Sequence, residues 1–221
     1  MTARAGELRP DASSDPKNWT NRLRGWFEGL VPAGEALPAQ QPAYVASWIY
    51  VFGVLTLTSL VVVIASGCVL SLGGVAWWHV SSVGHFFNSV HLWSVELFFG
   101  FMVIHLWGKF WMAAWRGKRA LTWITGVVLF GISIGTSFTG FLSQSNFSAQ
   151  WIGAEGKDGI NSIGAGAFFN VLNPGQMLLW HVVLLPLGVV LLTLIHIILV
   201  RRRGVVPPLD ADLMQTWRAE R

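Results

Sequence analysis

Four histidines lie in two long apolar stretches of the chain, where a neutral imidazole can serve as a metal ligand. His91 and His105 are 14 residues apart in one stretch, and His181 and His196 are 15 apart in the other. An α-helix advances about 1.5 Å and turns about 100° per residue, so each pair lies on roughly one helix face, with about 21 to 23 Å between its members. On two parallel helices His91 would face His181, and His105 would face His196. Two such imidazole pairs suit two six-coordinate haems at two depths of a bilayer.

A histidine in an apolar stretch also has a simpler explanation. A single one more often hydrogen-bonds a neighbour or lines a polar cavity, so the four could be polar contacts in a haem-free scaffold or transporter. Ionisable side chains inside a membrane are nevertheless rare and usually functional. Four of them at nearly matched spacing favour ligation of two haems, and the scaffold or transporter is kept as an alternative.

Two glycine pairs repeat the histidine interval in two further apolar stretches. Gly53 and Gly67 are 14 residues apart, and Gly126 and Gly140 are also 14 apart. Glycine in a membrane helix commonly marks close helix packing, but a missing side chain also lets a flat cofactor approach the backbone. We predict that two helices supply ligands and two supply clearance, with Gly53 and Gly126 at the level of His105.

Four apolar segments must position these residues. The chain is 53% hydrophobic and only 12% charged, which is typical of a multi-span membrane protein. Each segment exceeds the roughly 20 residues that a membrane-spanning helix needs. We predict spans at 45–72, 86–113, 121–143 and 175–200. The net charge of +4 does not indicate nucleic-acid binding, because the basic residues lie at the ends of spans.

The basic residues also predict the orientation of the bundle. They cluster in the amino-terminal tail, in the second loop at 116–119 and after the last span at 201–203. The positive-inside rule places these three regions in the cytoplasm. The second and fourth spans then run parallel, with His105 and His196 toward the inner face. We expect a multi-pass protein of the bacterial plasma membrane with both termini cytoplasmic.

The chain divides into three predicted regions. Residues 1–43 form a polar tail without a signal-peptide core, and its stretch NWTNRLRGWFEGLV suits an amphipathic helix in the membrane interface. Residues 44–203 form the diheme domain, and 204–221 form a cytoplasmic tail. The predicted fold class is an all-α membrane protein, a four-transmembrane-helix bundle holding two haems, with an amino-terminal interfacial helix.

These spacings, with the stretches RALTWITGVVL and HVVLLPLGVVLLTLIHIILVRRRGVVPPL, are similar to the amino-terminal half of cytochrome b. The likeness is greatest to its short split form, cytochrome b6, and covers roughly residues 45–208. It implies a diheme b subunit that passes electrons across the membrane between quinol-oxidising and quinone-reducing sites of a bc1/b6f-type complex. The resemblance places a haem-propionate contact on Arg119. It places the haem ligands on His91, His105, His181 and His196.

Several positions depart from that family pattern. Asn88 stands where the family has an arginine, and Gln144 and Ser145 stand where it has Pro-Trp. Val51 replaces the cysteine that holds an extra haem in cytochrome b6, so we expect two non-covalent, bis-histidine b-type haems. The third loop looks short, and the carboxy-terminal half of cytochrome b is absent from this chain. We therefore expect no quinol oxidation by the chain alone.

Other charged residues leave two interpretations each. Lys109 could extend to water or pair with a haem propionate, and with Arg119 it marks the inner end as a place for a quinone. Glu96 is a mid-span acid that either belongs to a proton path or stays protonated against backbone.

The resemblance also implies partner proteins. A Rieske iron–sulfur protein and a carboxy-terminal cytochrome b subunit are expected for a bc1/b6f-type complex. The alternative function is a diheme membrane anchor that links another oxidoreductase, such as a hydrogenase or a molybdenum enzyme, to the quinone pool.

Overall fold

The computed structural model describes residues 19–30 and 47–207, and within these ranges the regular structure is entirely helical. Residues Met1–Gln41 and Pro42–Arg221 form separate units. In the first, helix α1 spans Trp19–Leu30 and exposes Trp19, Leu23, Trp26 and Phe27. The predicted amphipathic helix is therefore present, and its place in a membrane interface stays a prediction. The rest of the predicted amino-terminal tail, and most of the carboxy-terminal tail, lie outside the described residues.

Four helical segments are long and apolar enough to cross a membrane. They are Trp48–Gly73, Ser82–Trp111, Gly117–Ser143 and Pro174–Arg203, with mean hydropathies from 1.4 to 2.8. The predicted four-helix fold is confirmed, with boundaries shifted by a few residues. The second span begins earlier than predicted because Ser81 caps it, its hydroxyl accepting the Gly84 N–H at 3.3 Å.

The first span consists of a turn at Trp48–Tyr50 and helix α2 at Val51–Gly73. One short helix, α3 at Val75–Val80, joins it to the second span. Helix α4, Ser82–Trp111, completes the second span. The first span packs along the second, and the third packs along the fourth.

The third and fourth spans contain two departures from a plain α-helix. A short turn at Gly117–Arg119 precedes helix α5, Ala120–Ser143. The fourth span consists of helix α7 at Pro174–Leu179, a π-helical turn at Trp180–Leu184 and helix α8 at Leu185–Arg203. His181 lies inside that π-turn.

The third loop is more structured than its sequence suggests. It contains helix α6, Phe147–Ser162, which begins where the Asn146 side chain accepts the Ala149 N–H at 2.9 Å. Ala149 and Gly153 are buried against the bundle. Three glycines within α6 weaken its helical signal in the sequence, so it was not predicted.

The middle of the bundle is an apolar layer. Leu60, Phe98, Met102 and Val189 are buried there together. Leu60 is seven residues from both first-span glycines, and Phe98 is seven residues from both second-span histidines. The layer therefore separates the level of His91 from the level of His105.

Candidate functional site

His91 and His181 meet inside the bundle at one level, which we call the His91 level. Their ring centroids are 6.1 Å apart, and the two ring planes lie at 89°. Two imidazoles on opposite sides of one metal ion, with metal–nitrogen bonds of about 2 Å, would place their centroids roughly 6 Å apart. The pair is thus spaced as two ligands of one metal ion would be.

Hydrogen bonds orient both rings at the His91 level. The Nδ1 atom of His91 lies 3.0 Å from the Val63 carbonyl oxygen and 3.0 Å from the Ser66 hydroxyl oxygen. The Nδ1 atom of His181 lies 2.8 Å from the Thr136 carbonyl oxygen. A carbonyl only accepts, so Nδ1 carries the proton in each ring and Nε2 keeps its lone pair. Histidines that bind metals commonly hold this tautomer through such a bond.

The second pair, His105 and His196, defines what we call the His105 level. Within the described residues, only one of its two rings has a hydrogen bond at Nδ1. His196 Nδ1 lies 2.9 Å from the Thr125 hydroxyl, which itself donates to the Thr122 carbonyl at 2.8 Å. The hydroxyl proton is therefore used, and the Nδ1–H of His196 donates to the oxygen. His105 Nδ1 is buried, and no described residue hydrogen-bonds to it.

Each of the four glycines lies against the ring of one histidine. A Cβ atom added at Gly140 would overlap the His181 ring, 2.7 Å from its Nδ1. At the other three positions the added atom would contact a ring Cε1, namely His105 at 3.0 Å from Gly53, His91 at 3.1 Å from Gly67 and His196 at 3.3 Å from Gly126. The glycines thus make room for the histidine rings themselves, at the levels that the spacing predicts.

A cavity opens between the two rings of the His91 level. Apolar side chains form most of its wall, including Leu60, Phe98 and Val189 from the apolar layer. Its polar side chains are the two imidazoles and the hydroxyl residues Ser71, Ser133, Thr136 and Ser137. Ser133 is 4% exposed, and no described residue accepts or donates a hydrogen bond at its hydroxyl. Apolar walls with two imidazoles fit a flat, apolar, metal-containing cofactor.

The two predicted basic residues lie at the end of the bundle near His105. The Lys109 ammonium stands 3.7 Å from the centroid of the Tyr50 ring and 3.8 Å from the Met112 sulfur. Lys109 is half-buried against an aromatic ring. This contact differs from both arrangements expected from the sequence, extension to water or pairing with a haem propionate. Arg119 Nε donates to the Gly204 carbonyl at 3.2 Å. A haem-propionate contact for either residue stays a prediction.

The structure also shows the surroundings of Glu96 and of Asn88 and Gln144, two positions that depart from the family pattern. Glu96 lies on the exposed surface of the second span rather than in the bundle interior. Gln144 Nε2 donates to Asn88 Oδ1 at 3.3 Å, and His79 Nε2 lies 3.0 Å from the Gln144 carbonyl oxygen. The family's arginine and Pro-Trp positions therefore meet each other here through amide groups.

The residues that orient the histidines were not predicted from the sequence. Ser66 and Thr125 each directly precede one of the four glycines. A hydroxyl residue before a glycine in an apolar helix was the signal that could have found them. The carbonyls of Val63 and Thr136 accept the Nδ1–H bonds of His91 and His181. Each of these two residues lies four positions before a glycine, but a backbone carbonyl leaves no mark in the sequence.

A protein-family model described as cytochrome b(N-terminal)/b6/petB matches residues 96–218, more than half of the chain. The cytochrome bc complex cytochrome b subunit of Chlorobaculum thiosulfatiphilum is 28% identical over 91% of this chain and 53% of its own. The menaquinol:cytochrome c reductase cytochrome b subunit of Geobacillus thermodenitrificans is 26% identical, over 74% of this chain and 84% of that protein.

Cytochrome b6 of Heliobacterium mobile is 25% identical over 83% of this chain and 99% of that protein. Among solved structures, a chain of a hyperthermophilic respiratory complex III superposes with a TM-score of 0.65 at 22% identity. That superposition covers 82% of this chain and 55% of the other, and it shows a shared fold. The chain spans about half the length of the Chlorobaculum relative and of this solved chain.

Proposed function

The chain belongs to the cytochrome b(N-terminal)/b6 family, and we propose that it is a diheme b-type cytochrome subunit carrying electrons across a membrane in a quinol-linked bc1/b6f-like complex. Membership and the four apolar helices make it an integral membrane protein, and the family implies haem b. The observation that carries the proposal is the pair of histidine levels, each ring resting against a glycine.

His91 and His181 would hold one haem, and His105 and His196 would hold the other. The support is the 6.1 Å spacing of the His91-level rings and the Nδ1 contacts of three of the four rings. When bound, a haem with imidazole on both faces exchanges single electrons and offers no open coordination position.

Apolar side chains, glycines and hydrogen bonds around these positions would orient the ligands. Leu60, Phe98 and Val189 close the middle of the bundle with apolar side chains. The glycines let the rings sit against neighbouring backbones, and the Nδ1–H bonds make each bonded imidazole more basic toward a metal. These packing contacts and hydrogen bonds would hold the imidazoles in place when a haem is bound.

Lys109 and Arg119 would place positive charge near the His105 level. A guanidinium can bind a propionate carboxylate with two charge-assisted hydrogen bonds. The same charges could stabilise negative charge on a quinone as it is reduced. We propose this end of the bundle, cytoplasmic by the positive-inside rule, as the place for a quinone.

The partners are proposed from the names of the relatives. The Chlorobaculum relative is named as a subunit of a cytochrome bc complex, and the Geobacillus relative as a subunit of a menaquinol:cytochrome c reductase. We propose a Rieske iron–sulfur protein and a carboxy-terminal cytochrome b subunit as partners of this chain. Purification of the tagged chain from its native membrane tests this. Recovery of a hydrogenase or molybdenum enzyme instead would support the diheme-anchor alternative.

The haem content tests the ligand assignment. A pyridine haemochrome assay on the purified chain should give a haem-to-protein ratio near two, and a ratio near zero would overturn the proposal. His91→Ala should remove one haem and His105→Ala the other. Each substitution should therefore abolish a different component of a redox titration. His85→Ala, an exposed histidine near the start of the second span, serves as the control and should keep both.

A further inference from the structure

The two pairs of histidines have unequal spacing along their helices, although each ring lies against a glycine of a pair spaced by 14 residues. His91 and His105 are 14 residues apart on a continuous α-helix, whereas His181 and His196 are 15 apart. On an ideal α-helix one extra residue adds about 100° of rotation and about 1.5 Å of rise. In a plain α-helix the 14-residue interval falls about 40° short of whole turns and the 15-residue interval overshoots by about 60°, so His181 would be rotated by about 100° from the direction that a 14-residue interval gives.

The π-turn at Trp180–Leu184 removes this difference. The Leu185 N–H bonds the Trp180 carbonyl, five residues back rather than four. A single π-turn accommodates one extra residue while the helix on either side keeps its direction. With one residue taken up by the π-turn, His181 and His196 are oriented as if they were 14 residues apart on a plain α-helix.

The cause of the π-turn lies in Pro186. Proline has no N–H to donate to the carbonyl four residues earlier, here that of Val182, and its ring collides with that carbonyl in a regular helix. A widened turn just before the proline relieves the collision, and π-bulges and prolines are recognised sites of such departures. Pro186 also lines the cavity between the rings of the His91 level.

We propose that the π-turn set by Pro186 is a positioning device that turns His181 toward His91. The inference rests on the proposed function, because its purpose is to complete one bis-histidine site. Three contacts depend on the orientation that it sets. They are the ring contact with His91 at 6.1 Å, the bond from Nδ1 to the Thr136 carbonyl at 2.8 Å and the close approach to Gly140. A rotation of about 100° would break all three.

The test removes one residue from each histidine-bearing helix. Deleting Val183 together with Pro186→Ala takes the extra residue and the proline out of the π-turn, so a plain α-helix restores the same orientation of His181. Deleting Leu97 from the second span is the matched control, because that span is α-helical there and has no extra residue to lose. Val183 is 48% exposed and Leu97 is 52% exposed, so both deletions remove little packing.

We expect the fourth-span variant, in the complete complex, to keep a haem-to-protein ratio near two with two components in a redox titration. In the variant that lacks Leu97, the haem-to-protein ratio should fall to near one. Loss of one haem from the fourth-span variant as well would overturn the inference.

An experimental structure of the unmodified chain separates this inference from the proposed function. A π-turn over 180–184 with the bond from His181 to the Thr136 carbonyl supports the inference whether or not haem is present. A plain α-helix over these residues would refute it even in a chain that carries two haems.

Discussion

His105 differs from the other three histidines in what its Nδ1 atom contacts. Ser66 and Thr125 each precede a glycine and place a hydroxyl beside a histidine Nδ1. The residue before Gly53, which faces His105, is Phe52, whose side chain has no hydrogen-bonding group. The residue type at position 52 is therefore one reason why no described residue hydrogen-bonds to His105 Nδ1.

Phe52→Ser should supply the missing hydroxyl. A hydrogen bond to Nδ1 makes the imidazole a stronger donor and favours the oxidised iron. We expect the midpoint potential of the His105-level haem to fall by about 20 to 60 mV, as expected for about 0.5 to 1.5 kcal/mol in a one-electron couple. A redox titration measures it. Phe52→Ala removes the same ring without adding a hydroxyl, and equal potentials for the two variants would contradict the prediction.

At the scale of helix pairs, close approach between the third and fourth spans depends on Gly140. A Cβ atom there would overlap the His181 ring, whereas one added at Gly131 on the same helix would meet no atom within 4 Å. Overpacking of this kind costs about 1 to 3 kcal/mol.

Gly140→Ala should therefore weaken haem binding at the His91 level. The measurement is the haem-to-protein ratio after purification together with the thermal unfolding temperature. We expect the variant to lose a part of one haem and to unfold at a lower temperature, while Gly131→Ala should match the unmodified protein. A Gly140→Ala protein with two tightly held haems would show that the His181 ring can move aside at little cost.

The second loop and the end of the fourth span are fastened to each other. Arg119 Nε donates to the Gly204 carbonyl at 3.2 Å, and Arg203 donates to the Lys118 carbonyl at 2.8 Å. Tyr50 adds a bond from its hydroxyl to the Val206 carbonyl at 2.7 Å. These bonds hold the guanidinium of Arg119 at the end of the bundle near His105.

Arg119→Gln should lower the midpoint potential of the His105-level haem. Loss of a nearby positive charge favours the oxidised, more positive iron. The control is Arg116→Gln in the same loop, where the guanidinium stacks on Trp115 at 4.5 Å. A potentiometric titration that shows no change for Arg119→Gln, or a rise, would count against a charge contact with the haem.

At the scale of the whole molecule, the chain spans about half the length of the Chlorobaculum relative. Two imidazoles meet at the His91 level, and the proposal gives each haem two imidazole ligands. At the His91 end, Asn88 and Gln144 form an amide contact where the family has an arginine and Pro-Trp.

The isolated, haem-loaded chain should therefore not sustain quinol oxidation. Fully ligated haems bind no substrate, and a bc1-type site needs a pocket and a second electron acceptor. The measurement mixes the chain with a reduced quinol analogue and a soluble high-potential acceptor, with the complete complex as the positive control. Sustained turnover that is blocked by an inhibitor of the outer quinol site would refute the expectation.

The sequence alone determined the four membrane-spanning segments and the intervals between the histidines and glycines along them. Four long apolar stretches predict four spans, because the cost of placing polar residues in hydrocarbon depends on composition over about 20 residues. The helical repeat then relates His91 to His105, and Gly53 to Gly67, without knowledge of any neighbour. The haem assignment itself stays a prediction.

Only the tertiary structure decided which groups meet across helices. The partners of the histidine Nδ1 atoms include backbone carbonyls, and the orphan nitrogen of His105 depends on how two helices are rotated toward each other. The exposure of Glu96 depends in the same way on which face the second span turns outward. From the sequence, the 15-residue interval counts as nearly equal to the 14-residue one, on the assumption of an unbroken α-helix. The π-turn before Pro186 breaks that assumption, and it does so at His181.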